Sequence, residues 1–412
     1  MSKLSQNIGP GFLLAGAAIG VSHLVQSTRA GAEYGWVLII ALIIACVSKY
    51  PFLLMGPRYT AATGKNLIEG YKTLGKFQYY TYIFISVASM FIVLAAVTLV
   101  TGGLAAYLIP VGVSLTTWCT LILSVCLVIL FWGRYKTLDK SMKAIVSILT
   151  LLTFMAVIIA AVSIHKNPNL IETPSLTSAG SIAFIVAFMG WMPIPVDASI
   201  WHSIWTKEKS KLTGRQTTAQ DALWDFNIGY VAASVIAVLF FMLGVLVMFG
   251  SGIEFSKSSI SFSGQLIDLY AQTLGEWTKY FIGFAAFITM FSTTLTVADA
   301  YPRVVSEVIT LERNFSKHRK SKTYTVILIL ICIVALLIIY YASKQFTILV
   351  DFAAGLSFLA APFLAWFNYQ LFQQKDIQKE FRLKKPFKVF SRCCLVGLII
   401  FNLIYLWSVF KI

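Results

Sequence analysis

Two short groups of polar residues interrupt otherwise apolar runs and could hold a solute. Ser22, His23 and Gln26 follow Gly16 and Gly20 within the run 9–27. His23 and Gln26, three apart, share one face of any helix that continues through them. They line a substrate site or hydrogen-bond between helices. In the second group Met192 precedes Pro193 and Pro195, which together remove two N–H donors and free the carbonyls of Met189 and Gly190 upstream. Asp197 follows. A carboxylate this deep in a span reads as functional, or as the N-cap of a second half-helix beginning at Ala198; both hold together. His202, five residues on, relays protons or sits at the interface. The imidazole of His23, the thioether of Met192 and the carboxylate of Asp197 offer N, S and O ligands to a transition metal. Half-helix ends and free carbonyls suit a zwitterion or an amine instead, with Phe188, Trp191 and Trp201 as walls.

The other polar residues within spans read more blandly. Arg29 and Glu33, four apart, form a helix-surface ion pair or an interfacial anchor. Asp225 and Asn227 cap the helix they open. Asp299 and Arg303 make a structural i,i+4 pair in preference to a gate. The hydroxyls of Ser292-Thr293-Thr294-Leu295-Thr296 bond back to their helix or across to a neighbour, and Asp351 is placed to serve an outer gate. The six cysteines lie in apolar segments without metal-site spacing to His, and read as small buried hydrophobes. No nucleophile motif, phosphate loop or HExxH pattern occurs, so the expectation is neither an enzyme nor a cofactor binder.

Broken helix is tolerated in a bilayer only where it lines a cavity, because each unsatisfied backbone group costs several kcal/mol there. Paired interruptions in corresponding positions of two halves point to a transporter's binding site. The composition agrees: 58% hydrophobic, 12% charged, a multi-span membrane protein. The net charge of +16 does not indicate nucleic acid. Lys and Arg cluster in alternate loops (58–76, 134–143, 207–215, 303–322, 375–388), while the intervening loops carry few, such as Lys166, Lys257 and Lys344. That bias places the N-terminus in the cytoplasm. Met1–Ile8 is short and polar, with no cleavage site after the first apolar run, so no signal peptide is expected. A rule of about 20 apolar residues per span predicts eleven helices near 10–29, 34–56, 79–109, 112–133, 143–165, 179–205, 225–250, 277–302, 323–343, 346–372 and 389–410. The C-terminus then lies outside. The expectation is one all-α membrane domain, monomeric and set in a bacterial-type cell membrane. Repeat one covers about 10–165 and repeat two about 179–372, inverted with respect to each other, with an extra helix at 389–410.

Several segments resemble the NRAMP metal-ion transporters. Gly9-Pro10-Gly11-Phe12-Leu13-Leu14-Ala15-Gly16 and Ala30-Gly31-Ala32-Glu33-Tyr34-Gly35-Trp36 are similar to that family's first helix. Gly133-Arg134-Tyr135-Lys136-Thr137-Leu138-Asp139 resembles the loop after its fourth helix. Met192-Pro193 resembles the Met-Pro of its broken sixth helix, and Ser292-Thr293-Thr294 the Ser-Thr run of its eighth. The resemblance covers about 10–370 and implies a LeuT-type inverted repeat and secondary transport, with a divalent cation as first expectation for the substrate. An organic solute and a non-transporting sensor are the alternatives. The departures are pointed. Where the family carries Asp-Pro-Gly-Asn, whose Asp and Asn ligate metal, this chain reads Gly20-Val21-Ser22-His23. Its carbonyl-donating alanine is Met189, and its Met-Pro-His is Met192-Pro193-Ile194. A later His-Ser matches His202-Ser203 only with about one helical turn inserted. Its proton-coupling acidic pair falls on Thr98 and Thr101. The resemblance therefore implies an NRAMP-related protein with an altered metal site and an altered coupling route, in which His202 or Asp197 would carry any proton coupling.

Overall fold

The computed structural model describes residues 9–131, 135–163, 174–251, 255–313, 317–375 and 377–410. Met1–Ile8, Gly133, Arg134 and Lys166 lie outside them. Among the described residues there is no strand. The first span is α1 (Pro10–Ala18), a break at Ile19–Gly20, a π-helical turn over Ser22–Ser27, and α2 (Thr28–Tyr34). Then follow α3 (Ile39–Thr63), a short α4 (Leu67–Leu74), α5 (Lys76–Leu108), α6 (Leu115–Phe131) and α7 (Tyr135–Ser163). The sixth span is broken into α8 (Ala179–Trp191) and α9 (Ala198–Thr213). After it come α10 (Ala219–Leu243), α11 (Ser259–Leu274), α12 (Thr278–Arg313), α13 (Lys317–Ala342), α14 (Phe346–Leu371) and α15 (Lys385–Phe410). With α4 and α11 set aside as short connecting helices, these make eleven spans.

Some ends differ from the apolar count. The second span runs to Thr63, not 56, and the eighth to Arg313, not 302. Counting apolar residues finds the lipid-buried part, whereas a helix continues through polar residues until something caps it. Here Gly64, at φ 70°, does so for α3. Outward faces of α13 and α15 expose Ile333, Leu337, Ile400, Leu403 and Trp407, as lipid-facing helices do.

The two halves pack in the same way. α10 of the second half lies along α1, and α3 of the first half lies along α9, while α5 and α12 cross at the centre. Both pairings require glycine. A Cβ on Gly56 of α3 would stand 2.2 Å from the Ser199 carbonyl oxygen of α9, and one on Gly11 of α1 would stand 1.9 Å from that of Asp225 on α10. Small residues let membrane helices approach this closely, since packing rather than water expulsion drives them together.

Candidate functional site

The break in the first span frees carbonyls, and α12 supplies their partner. Thr293 Oγ1 lies 3.2 Å from Gly16 O and 3.3 Å from Ile19 O. A Cβ on Gly20 would meet that oxygen at 2.6 Å, so Gly20 is what admits the threonine. Ser22 Oγ lies 2.6 Å from Ala18 O and 2.8 Å from His23 Nδ1. His23 Nε2 lies 2.8 Å from the Ala233 carbonyl of α10 and must carry a proton to bond it. Nδ1 then accepts from Ser22, or, if also protonated, donates to it. Either way both ring nitrogens are taken and the ring, wholly buried, braces span one against span seven.

Gln26 goes elsewhere. Its Nε2 donates to Asp351 Oδ1 of α14 at 2.8 Å. The expectation that His23 and Gln26 share one face is thus corrected. It assumed an α-helix, and the wider π turn rotates the two side chains onto different neighbours. Arg29 joins Gln26 on Asp351 at 2.9 Å, pairs with Glu33 at 3.1 Å, and lies 4.7 Å from the Phe184 ring centroid. Arg29 and Glu33 are therefore part of a network from span one to span ten, which also contains the expected gate residue Asp351.

At the second break the carbonyls of Met189 and Gly190 are free of helical partners, the first because Pro193 has no N–H and the second because the backbone turns extended at Met192, and the side chain of Lys49 meets them. Lys49 Nζ of α3 donates to Met189 O at 2.6 Å, Gly190 O at 2.7 Å and Met192 O at 3.0 Å, in a site where the side chain is 1% exposed. An ammonium has three N–H groups and no lone pair, and all three are used. The signal was present: a lone lysine inside the apolar run 39–56 is a functional candidate on depth alone.

Asp197 stands at the N-cap position of α9, but its side chain makes no capping bond. The capping reading is corrected on that point: the residue is already in the right-handed helical conformation (φ −62°, ψ −23°), whereas capping wants an extended one. Its Oδ1 is buried without a hydrogen-bond partner, and the Tyr301 phenol lies beside the carboxyl. His202 is fully buried, with Nε2 3.6 Å from Asp225 Oδ2 and neither ring nitrogen hydrogen-bonded. Asp225 does cap, but for another helix: it accepts from Gly9 N at 2.8 Å and Gly11 N at 2.7 Å at the start of α1. Asn227 accepts from the Tyr50 hydroxyl at 2.8 Å instead of capping.

His23, Met192 and Asp197 are not brought to one point. The nitrogens of His23 are engaged, and Met189 and Met192 pack with Phe184, Phe188 and Phe241 in an apolar cluster. Among the described residues no group of three or more His, Cys, Asp or Glu is placed to hold a metal ion. What lies between the two breaks is a cavity of about 40 Å³, walled by Val97, Trp191, Ile194, Trp201 and Val297. Ser22, Thr293, Tyr301 and Ser357 supply its polar groups. Trp191 Nε1 donates to Ser357 Oγ at 3.1 Å, and Trp201 meets Tyr301 edge-on with centroids 5.2 Å apart. Of the expected walls, Trp191 and Trp201 line it and Phe188 does not. The coupling candidates lie away from its wall. Thr98 bonds back to Leu94 O at 2.7 Å, and Thr101 meets Thr294 at 2.7 Å across spans three and eight. Asp299 is held by Arg303 and by the Tyr324 hydroxyl, each at 2.6 Å.

The chain's relatives agree with this architecture. An uncharacterized protein of Pasteurella multocida is 35% identical over 405 residues, 97% of this chain and 91% of that protein. The divalent metal cation transporter MntH of Staphylococcus saprophyticus is 22% identical over 425 residues, 99% of this chain and 93% of its own. A crystal structure of the manganese transporter of Eremococcus coleocola superposes with a TM-score of 0.73 at 15% identity, covering 97% of this chain and 86% of that one. Such a likeness speaks for the fold alone: the LeuT-type inverted repeat with its first and sixth helices broken. Residues 11–408 match the family described as Natural resistance-associated macrophage protein-like, and the chain belongs to that family of integral membrane transporters.

Proposed function

We propose that the protein is a secondary transporter that carries a small organic solute between its two broken helices by alternating access. The observation that supports this reading is the make-up of the cavity. Two indoles, a phenol and three hydroxyls surround one apolar space, the kind of wall an organic-solute site has; at about 40 Å³ it is far below the roughly 300 Å³ or more such a site fills, so this reading requires the two breaks to part when solute binds. The imidazole and the helix-six carbonyls, which a cation would need, are turned to Ala233 and Lys49. A second reading, a divalent cation at an altered site, is favoured by the unpartnered oxygen of Asp197 and by the likeness to MntH. The alternate basic loops support a cytoplasmic N-terminus and an external C-terminus, and the protein is taken to work as a monomer.

The test is a thermal-shift and calorimetric screen of the purified protein against amino acids, amines and small anions, and against divalent metals, followed by uptake in proteoliposomes. The organic reading expects stabilisation by at least one organic class, weakened by Trp201→Ala. Stabilisation by Mn²⁺ or Cd²⁺ alone, abolished in Asp197→Asn, would replace it with the second reading.

A further inference from the structure

We infer that Lys49 is a tethered cation: its ammonium fills a carbonyl seat on the broken sixth span that would otherwise take a free monovalent cation. Three backbone oxygens, of Met189, Gly190 and Met192, converge on one nitrogen at 2.6–3.0 Å. They converge because the chain leaves the helix there. The carbonyl of Met189 would bond to the N–H of residue 193, but Pro193 has none. Gly190 and Met192 lose their partners as the backbone turns extended at Met192 (ψ 131°). The oxygens also sit at the C-terminal end of α8, where the aligned peptide dipoles place about half a negative charge. Carbonyl oxygens gathered at a helix C-terminus inside a membrane are a cation site. Here the cation arrives on the α3 side chain. The facing groups are few: Asp197 lies on the same break, Cys46 one turn earlier on α3, and the bonded partners of the ammonium are all backbone. The seat therefore needs no Na⁺ or K⁺ from solution, and the unwound stretch is held by the chain's own charge. The inference does not depend on which solute the protein carries.

Melting temperature of the full-length protein in nanodiscs tests it, with NaCl, KCl, n-butylammonium chloride and choline chloride exchanged at constant ionic strength. Choline has no N–H and is too bulky for the seat. The wild type should move by less than about 1 °C among the four salts. Lys49→Ala should melt lower in choline and recover by about 3 °C or more in at least one of Na⁺, K⁺ and butylammonium, since a ligand bound only to the folded state raises its stability. Lys49→Met refills the volume without the charge and should stay destabilised in choline. Three results overturn the inference. The first is a folded Lys49→Ala whose melting is the same in all four salts. The second is Lys49→Met as stable in choline as the wild type, which makes packing the whole role of the side chain. The third is a wild type stabilised selectively by Na⁺ or K⁺. Obtaining folded Lys49→Ala only when butylammonium is present throughout purification supports it; if that variant cannot be obtained folded in any salt, Lys49→Met and the wild-type comparison decide. Organic-solute binding measured on the same samples keeps the outcome separate from that of the functional proposal.

Discussion

Replacing Asp351 with Asn should loosen the join between spans one and ten. The carboxylate accepts from Gln26 at 2.8 Å and from Arg29 at 2.9 Å, and the Arg29 side chain is only 9% exposed. Hydrogen bonds to charged groups contribute roughly 1.5–3 kcal/mol each. Three things reduce that sum here. Asp351 is 29% exposed and so partly screened, Arg29 keeps its 3.1 Å pair with Glu33, and the asparagine oxygen still accepts one bond. A net loss of about 2 kcal/mol is reasonable, or roughly thirtyfold in the equilibrium between closed and open forms. Hydrogen exchange read by mass spectrometry on peptides covering 22–38 and 346–357 measures that equilibrium, because exchange follows the open population when reclosing is fast. Glu33→Gln is the internal control: one longer bond to a side chain 33% exposed should be worth about 0.5 kcal/mol, two- to threefold in rate. An Asp351→Asn protein that exchanges within about threefold of the wild type, or no faster than Glu33→Gln, would mean the network is a surface ornament and not a closure.

Four further outcomes are expected. Asp225→Ala uncaps two amides of α1 and should cost about 1–2 kcal/mol, seen as melting a few degrees lower; an unchanged melting temperature speaks against the cap. Gly56→Ala pushes a methyl into the Ser199 carbonyl and should greatly reduce the monodisperse protein on size exclusion, whereas Gly355→Ala, where a Cβ meets nothing within 4 Å, should not. His23→Ala removes the side-chain donor to the Ala233 carbonyl, a loss of about 0.5–1.5 kcal/mol, and should weaken solute binding by moving span one; unchanged affinity would show that this half of the break does not form the site. An inward pH gradient should drive little accumulation in proteoliposomes, since Thr98 and Thr101 do not titrate near neutrality. Strong accumulation that survives Asp197→Asn together with His202→Ala would show a coupling route through other residues.

The breaks were legible because they are local. Gly20 and the pair Pro193 and Pro195 act on their own backbone, and a window of a few residues contains the whole cause. Partners were not legible, because they lie far along the chain. Asp351 is 322 residues from Arg29, and the carbonyl bonded by His23 is 210 away. Direction around the helix was misjudged for one reason: a 3.6-residue period was assumed through Ser22–Ser27, where the turn is wider. Lys49 was missed although its depth marked it. Most of the positive charge lies in loops, where it reads as topology, and the three carbonyls that explain the one cation within the apolar run lie 140 to 143 residues along the chain.

The position of Lys49 also bears on how the chain enters the membrane. A lysine at mid-helix costs about 2.5–3.5 kcal/mol during insertion, against roughly 3–7 kcal/mol that the Val, Leu, Ile and Phe residues of 37–54 return. The lysine thus takes away a large part of the second span's insertion energy when it first leaves the ribosome. The oxygens that receive its charge begin 140 residues later, which at about 5–20 residues per second is roughly 7–28 s of synthesis. During that interval the ammonium must reach for the lipid headgroups or hold the helix shallow. The first repeat is therefore not a unit that matures and then waits for its twin. A fragment ending at the repeat boundary would keep that charge without the carbonyls that receive it.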